Sequence, residues 1–467
     1  MANLLVKGTI WMVAYTYGFI SMVLYGLLTV RLGIFFKKPT EKDQLELQLA
    51  HDRLWNLSKD YAGLSHYFLT LPTGFKFHFL SNDVPNSQEV LASSKPLVIF
   101  IHGFPDSWAV WRHIVSNTDL QKSATLVAID MPGYGGTQGV KKYNGTNVLE
   151  NMTQLIINLR IQYGVDNATE TSKKRTVIVA HDWGCVIAMR LAAEAPSLAD
   201  RFLLSNGPLP SLINSNIRRM LSTARKMLND AWNSPLNARA PLRQAWQTLA
   251  PLRYQLKMSG YIFVMQLPVP FARFFLTGGN QAFMKMVHIG SHGNAKPTPQ
   301  DLANSMASSM GPSLEESKTE TADGETYPST VRFDSKFANV MNLAGYYRDG
   351  AATSYWKKSL ETVVALDKLA DGKTGLQGVK GALKARSTIF WGKKDIALHT
   401  AICLDGMSDF IPKDSQVILL PNSGHFTPIE SESRAALTKA VQWAIDGEQG
   451  DIGAALATSS VQVIARK

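Results

Sequence analysis

Apolar residues fall along this chain in two rhythms. The runs KPLVIFIHG (95–103), TLVAIDMPGYGGT (125–137), RTVIVAH (175–181), RFLLSNG (201–207), ARSTIFWG (385–392) and SQVILLPNSGH (415–425) are short and apolar without alternation. That pattern predicts parallel strands buried on both faces. FKFHFLSND (75–83) alternates and reads as an earlier strand. Residues 147–163, the stretch that opens at Asp182, and 432–445 carry the spacing of amphipathic helices. Strands alternating with helices predict an α/β protein with a doubly wound, mostly parallel sheet. From Gly207 to about residue 365 the rhythm changes to long helical patterns rich in Arg, Leu, Met and Trp, an inserted helical lid.

One segment before the sheet has a different pattern. Between Lys7 and Arg31 lie 23 uncharged residues, GTIWMVAYTYGFISMVLYGLLTV. About 20 apolar residues suffice to cross a hydrocarbon core, and the run is too long for the apolar part of a signal peptide. Arg31, Lys37 and Lys38 follow it, so the positive-inside rule puts the body of the protein in the cytosol, with the endoplasmic reticulum as the expected membrane. Glycosylation sequons at Asn56, Asn144, Asn151 and Asn167 are about as many as chance supplies. The expected organisation is an anchor (1–40), a first core part (41–207), the lid (208–365), a second core part (366–446) and a tail without pattern (447–467). Within the lid, residues 296–328 are polar, acidic and rich in Pro and Ser, and read as a disordered or exposed loop.

Composition narrows the partners. Net charge is +11, yet no basic block or nucleic-acid motif accompanies it, so nucleic acid is not expected. Residues 211–260 hold eight Lys/Arg and one acid, Asp230, which suits a solvated basic face or anionic headgroups. The two cysteines, Cys185 and Cys403, have no metal-ligand spacing. No metal or organic cofactor is implied.

The chemistry concentrates at strand ends. Ala180-His181-Asp182-Trp183-Gly184 fits the small-x-nucleophile-x-small turn between strand and helix, with Asp where many hydrolases place Ser. An aspartate N-cap reads from the same residues. HGFPDSW (102–108) follows its strand directly, where the Phe104 amide, with that of Trp183, would face a developing oxyanion; Pro105 suits a cis bond there. Asp395, in GKKD, and His425, in PNSGHFTP, each follow a strand. Nucleophile, acid and histidine thus run in the order a doubly wound hydrolase sheet presents.

HGFPDSW, DMPGYGGT, HDWG, GKKD and SGHFTP resemble the epoxide hydrolases of the α/β-hydrolase fold, with haloalkane dehalogenases second; the likeness covers about residues 60–445. It implies Asp182 as nucleophile, His425 as base and Asp395 as its orienting acid. It also implies two lid tyrosines that donate to the epoxide oxygen. SGYIFVMQLP (259–268) resembles the first lid motif and aligns Tyr261, although Leu267 and Val269 stand where the family has Glu and Gly. LAGYYRDG (343–350) resembles the second and aligns Tyr347, with Tyr346 as the alternative. A carboxylate attacking saturated carbon forms an ester that water can reopen, whereas serine would leave an ether. The expected reaction is hydrolysis of a lipophilic epoxide to a vicinal diol, with water as second substrate. A dehalogenase-like hydrolase and a non-catalytic binder of lipophilic ligands are the alternatives.

Overall fold

The computed structural model describes residues 2–166, 174–293, 295–332, 340–370, 379–456 and 461–467. The sequon at Asn167 lies outside the described residues. Among the described residues nine strands form one sheet: β1 (Ser65–Thr70), β2 (Lys76–Ser81), β3 (Leu97–Ile101), β4 (Thr125–Ile129), β5 (Thr176–His181), β6 (Arg201–Ser205), β7 (Ser387–Gly392), β8 (Gln416–Leu420) and β9 (Gln462–Arg466). Their spatial order is β1-β2-β4-β3-β5-β6-β7-β8-β9. The pairs from β4–β3 to β7–β8 are parallel, and β1–β2, β2–β4 and β8–β9 are antiparallel. The unbroken apolar runs form the centre because both faces of those strands are covered. β3 and β4 are buried at every position.

Fourteen helices matter for the site and its surroundings. In chain order they are α1 (Ala2–Arg31), α2 (Glu41–Trp55), α3 (Gly145–Gln162), α4 (Trp183–Glu194), α5 (Pro210–Asn233), α6 (Arg239–Thr248), α7 (Ala250–Met258), α8 (Gly260–Met265), α9 (Val269–Gly290), α10 (Pro299–Met310), α11 (Val340–Arg348), α12 (Leu360–Ala370), α13 (Ser431–Ile445) and α14 (Ile452–Leu456). α3 and α4 bury Leu149, Met152, Ile156, Ile187 and Leu191 in the apolar core on one sheet face. α2 and α13 bury Leu54, Trp55, Leu437 and Val441 in the core on the other. The residues between β6 and β7 supply α5 to α12, of which α5, α8 and α11 bring Pro210, Tyr261 and Tyr347 to a cavity that Asp182, at the carboxyl end of β5, also lines. α12 runs through residue 365 without a break and packs back on α3, so by contact it sits with the sheet layers.

Two expectations are corrected. Residues 296–328 are packed, not disordered. Thr298 and Asp301 form a capping box that starts α10, and residues Ala303 to Ser309 are buried against α2. Trp55 Nε1 donates to the Ala307 carbonyl at 2.9 Å, Arg53 Nη2 donates to Asn304 Oδ1 at 2.8 Å, and Tyr327 donates its hydroxyl to the Trp55 carbonyl at 2.7 Å. The segment reads as disordered because its buried side chains are small and polar. They are buried with partners, which removes most of the cost of burying them. The tail is not patternless either: β9 pairs with β8 and α14 contacts α13. β9 is an edge strand with no fully buried residue, so it carries no apolar run.

α1 is one 30-residue helix. Among the described residues it is the one helix long and apolar enough to cross a membrane. It does not stand apart from the body as an anchor of residues 1–40 would, because one of its faces packs on α8 and α9.

Candidate active site

The turn between β5 and α4 is strained. Asp182 has φ +52° and ψ −118°, a region that costs a non-glycine residue about 1–3 kcal/mol. Its side chain makes no helix-cap hydrogen bond, which removes the N-cap reading. Two glycines allow the turn: a Cβ on Gly184 would strike the carbonyls of Ile101 and His102, and one on Gly103 would strike the Asp182 carboxylate. The small residues of the motif are thus where backbones meet.

Each carboxylate oxygen of Asp182 has its own neighbour. The Phe104 amide donates to Oδ1 at 2.6 Å, and the Trp183 amide bonds to the carboxylate as well. Oδ2 faces His425 Nε2 at 3.3 Å. On the far side of the ring, His425 Nδ1 lies 2.8 Å from Asp395 Oδ2. The structure therefore brings Asp182, His425, Asp395, Phe104 and Trp183 into one contiguous chain of contacts. The Phe104–Pro105 bond is cis.

Electrostatics follow from that placement. Burial raises the Asp182 pKa, but the bond and charge of His425 outweigh it, and the net shift is below the usual carboxylate range. Burial works against the charged His425 ring, but the two carboxylates raise it to about 10. The two flanking carboxylates thus favour the protonated form of the His425 ring.

Both lid tyrosines line one cavity of about 260 Å³ with Asp182 and Trp183. Tyr261 and Tyr347 cross edge to face with ring centroids 5.8 Å apart. Burial first, and then nearby charge, holds both phenols well above the usual tyrosine range, so both stay protonated. Tyr346 also lines the cavity, but its hydroxyl donates to the Pro132 carbonyl at 3.0 Å. Of the adjacent pair, Tyr347 keeps the hydroxyl that pairs with Tyr261.

Several contributors stand inside or next to the quoted motifs, but spacing alone gives them no role. Arg348 Nη1 donates to the Met265 and Leu267 carbonyls at 2.6 and 2.7 Å, and Gln266 Nε2 donates to the Tyr347 carbonyl at 3.0 Å. These bonds tie the Tyr347 segment to the Tyr261 segment. Leu267 is fully buried, and its Cδ2 would lie 3.0 Å from a Cβ on Gly18 of α1. His181 Nε2 donates to the His425 carbonyl at 2.8 Å and anchors the histidine loop to the elbow.

Asn206 is a further partner of Asp395. Its Nδ2 donates to Asp395 Oδ2 at 2.6 Å, and its Oδ1 accepts from the Gly392 amide at 3.0 Å. The amides of Ala397 and Leu398 donate to Asp395 Oδ1 at 2.7 and 2.9 Å. Asn206→Ala leaves a buried carboxylate oxygen and a buried amide each short of a partner. It is expected to destabilise the fold by about 1–3 kcal/mol in denaturant unfolding; unchanged stability would mean the two bonds carry no net weight.

A second, almost wholly apolar chamber of about 430 Å³ adjoins the first and shares Pro208, Ile262 and Leu398 with it. Ile213, Ile217, Leu252, Leu256 and Ile402 form the rest of its apolar wall, with Gln255 and Ser259 its polar members.

Residues 96–259 match the family model described as alpha/beta hydrolase fold. The Cif epoxide hydrolase from Acinetobacter nosocomialis superposes with a TM-score of 0.52 at 17% identity, covering 87% of this chain and 96% of that one. The chain is an α/β-hydrolase-fold protein. Within that class its sequence relatives include epoxide hydrolases. Epoxide hydrolase 3 of Mus musculus is 29% identical over 159 residues, 32% of this chain and 37% of that protein. Epoxide hydrolase 2 of Caenorhabditis elegans is 32% identical over 117 residues, 24% of this chain and 29% of the relative. The matched stretches therefore span about a third of the length of these relatives.

Proposed function

We propose that this protein is an epoxide hydrolase that opens lipophilic epoxides through a covalent ester on Asp182. The observation that carries the reading is the division of labour on that carboxylate, Oδ1 on the Phe104 amide at 2.6 Å and Oδ2 toward the histidine, at a residue that lines the cavity. In the first step Oδ2 attacks a ring carbon and the carbon–oxygen bond breaks. The alkoxide takes a proton from Tyr261 or Tyr347, which neutral phenols can give. Ester formation removes the Asp182 charge, one of the two that hold His425 protonated, so the ring's pKa falls. His425 passes its proton toward the phenolate and becomes neutral, oriented by Asp395. It then takes a proton from water attacking the ester carbonyl. Negative charge grows on Oδ1, opposite the Phe104 and Trp183 amides. Collapse breaks the bond to the alkyl oxygen, which leaves as a diol once reprotonated.

Three features support the substrate class: the apolar chamber beside the pocket, the sequence likeness to epoxide hydrolases, and an apolar N-terminal helix. We place the protein on a membrane through α1, at the endoplasmic reticulum with its body in the cytosol. The test is one turnover in heavy-oxygen water over a panel of epoxides. The expected result is an unlabelled first diol, carrying an oxygen of Asp182, with the label left in the Asp182 carboxyl. Label in the first diol would make water the direct attacker and end the covalent reading.

A further inference from the structure

α1 has two unlike faces. On one, Tyr17 donates its hydroxyl to the Leu256 carbonyl at 2.8 Å, and Gly18 lies where a Cβ would come within 2.7 Å of the Phe263 carbonyl. In return, a Cβ on Gly260 would come within 2.9 Å of Ser21 Oγ. Tyr25 crosses Phe275 and Phe283 at ring distances of 5.7 and 5.6 Å. Residues 17, 18, 21 and 25 share one side of a helix. The opposite side, Ile20, Val23, Leu24 and Leu27, is apolar and exposed.

Docking then imposes a constraint. Tyr15, Tyr17, Gly18, Ser21 and Tyr25 of α1 all meet the body of the protein, and just past the helix Phe35 closes on Gly279 of α9. α8 and α9 therefore share whatever depth in a bilayer this docked part of α1 takes.

The lid surface beside α1 is suited to lipid. Phe19 of α1 meets Phe271 of α9 edge to face at 5.0 Å, so the exposed apolar side of α1 continues onto Val269, Phe271 and Phe274. Lys37, Lys257 and Arg273 are exposed in the segments that flank this surface. An apolar strip bordered by cations complements a bilayer containing anionic lipid.

We propose that α1 and the outer flank of α9 form one surface that sinks the lid into the interface of an anionic bilayer, in place of a tether that holds the enzyme above it. This rests on reading α1 as membrane-binding. Leu256 is bonded to α1 and lines the apolar chamber, so the chamber lies next to lipid and takes apolar ligands from it.

Both native cysteines are buried, which lets an introduced surface cysteine be labelled selectively. The full chain is diluted from detergent into phosphatidylcholine vesicles with or without phosphatidylserine. It carries an environment-sensitive fluorophore at Phe274→Cys, Leu24→Cys or, on the far side of the core, Val84→Cys; these positions are 57%, 59% and 57% exposed. The labels at 24 and 274 are expected to brighten several-fold and to be quenched by nitroxide lipids, and the label at 84 to do neither. Removing the charges of Lys257 and Arg273 as glutamines should weaken partitioning into anionic vesicles about fivefold per charge. A response at 24 with a water-like signal at 274 would leave α1 a plain tether and overturn the proposal. No response at either site would remove the membrane reading of α1 itself. Shielding of 274 without vesicles, in a chain that dimerises, would assign the surface to a second copy instead.

Discussion

Asp182→Asn is expected to lower kcat for epoxide opening by about 10⁵-fold or more while the protein stays folded. The amide keeps the shape of the carboxylate at a strained turn, so the accommodating glycines are not disturbed. It cannot supply the electron pair that forms the ester. The same change acts on its neighbour. His425 is held at about 10 by Asp395 and Asp182 together, and with one of them neutral its pKa falls. The wild-type contribution of a raised imidazole pKa is fully present below about 6.5 and is lost as pH rises through about 10. In Asp182→Asn the upper edge of that window moves down. Steady-state kinetics, NMR titration of the His425 ring and denaturant unfolding across pH 6–11 check the three statements. Retained turnover would place the nucleophile elsewhere; an unmoved His425 pKa would mean that Asp395 alone holds the proton.

His425→Gln is expected to uncouple the two halves of the reaction. Ester formation needs only the Asp182 carboxylate and a phenol donor, whereas ester hydrolysis needs a base for the attacking water. The variant should give a burst of one epoxide consumed per site, then steady turnover slower by about 10²–10⁴-fold, the usual worth of a general base. The intact protein should gain the mass of the epoxide, and fragmentation should place it on Asp182. Loss of both phases would mean that the imidazolium is also needed to hold Asp182 ready for attack. Because His425 supports the ionised Asp182, the burst should require higher pH than in the wild type.

How far the residues alone reach can be judged from particular cases. The run VIVAHDWG carries its own instructions: an apolar strand, a small-residue turn and a helix, all dictated by neighbours a few positions apart. The structure does place Asp182, His425 and Asp395 together, in the order read from strand ends. It pairs the Tyr347 hydroxyl with Tyr261, whereas spacing left Tyr346 as the alternative, because only the fold puts Pro132 within reach of the Tyr346 hydroxyl. Asn206 is invisible in sequence because a lone Asn after a strand is an ordinary turn residue. Its role comes from Asp395, 189 positions away.

The elements misjudged have the same cause. α10 lacks the apolar stripe that marks an amphipathic helix, because its buried Ser and Asn are satisfied by Arg53, Ser107 and other groups far along the chain. β9 is half-exposed and borrows its order from β8. Hydrophobic rhythm and turn chemistry are local quantities, so a linear reading recovers the central strands, the elbow and the order of the acid, base and nucleophile types. Which groups share a hydrogen bond, which oxygen of Asp182 meets the Phe104 amide and which meets His425, and that the N-terminal helix lies along the lid are properties of contacts between distant segments. Those depend on the closed three-dimensional packing, and no stretch of residues encodes them by itself.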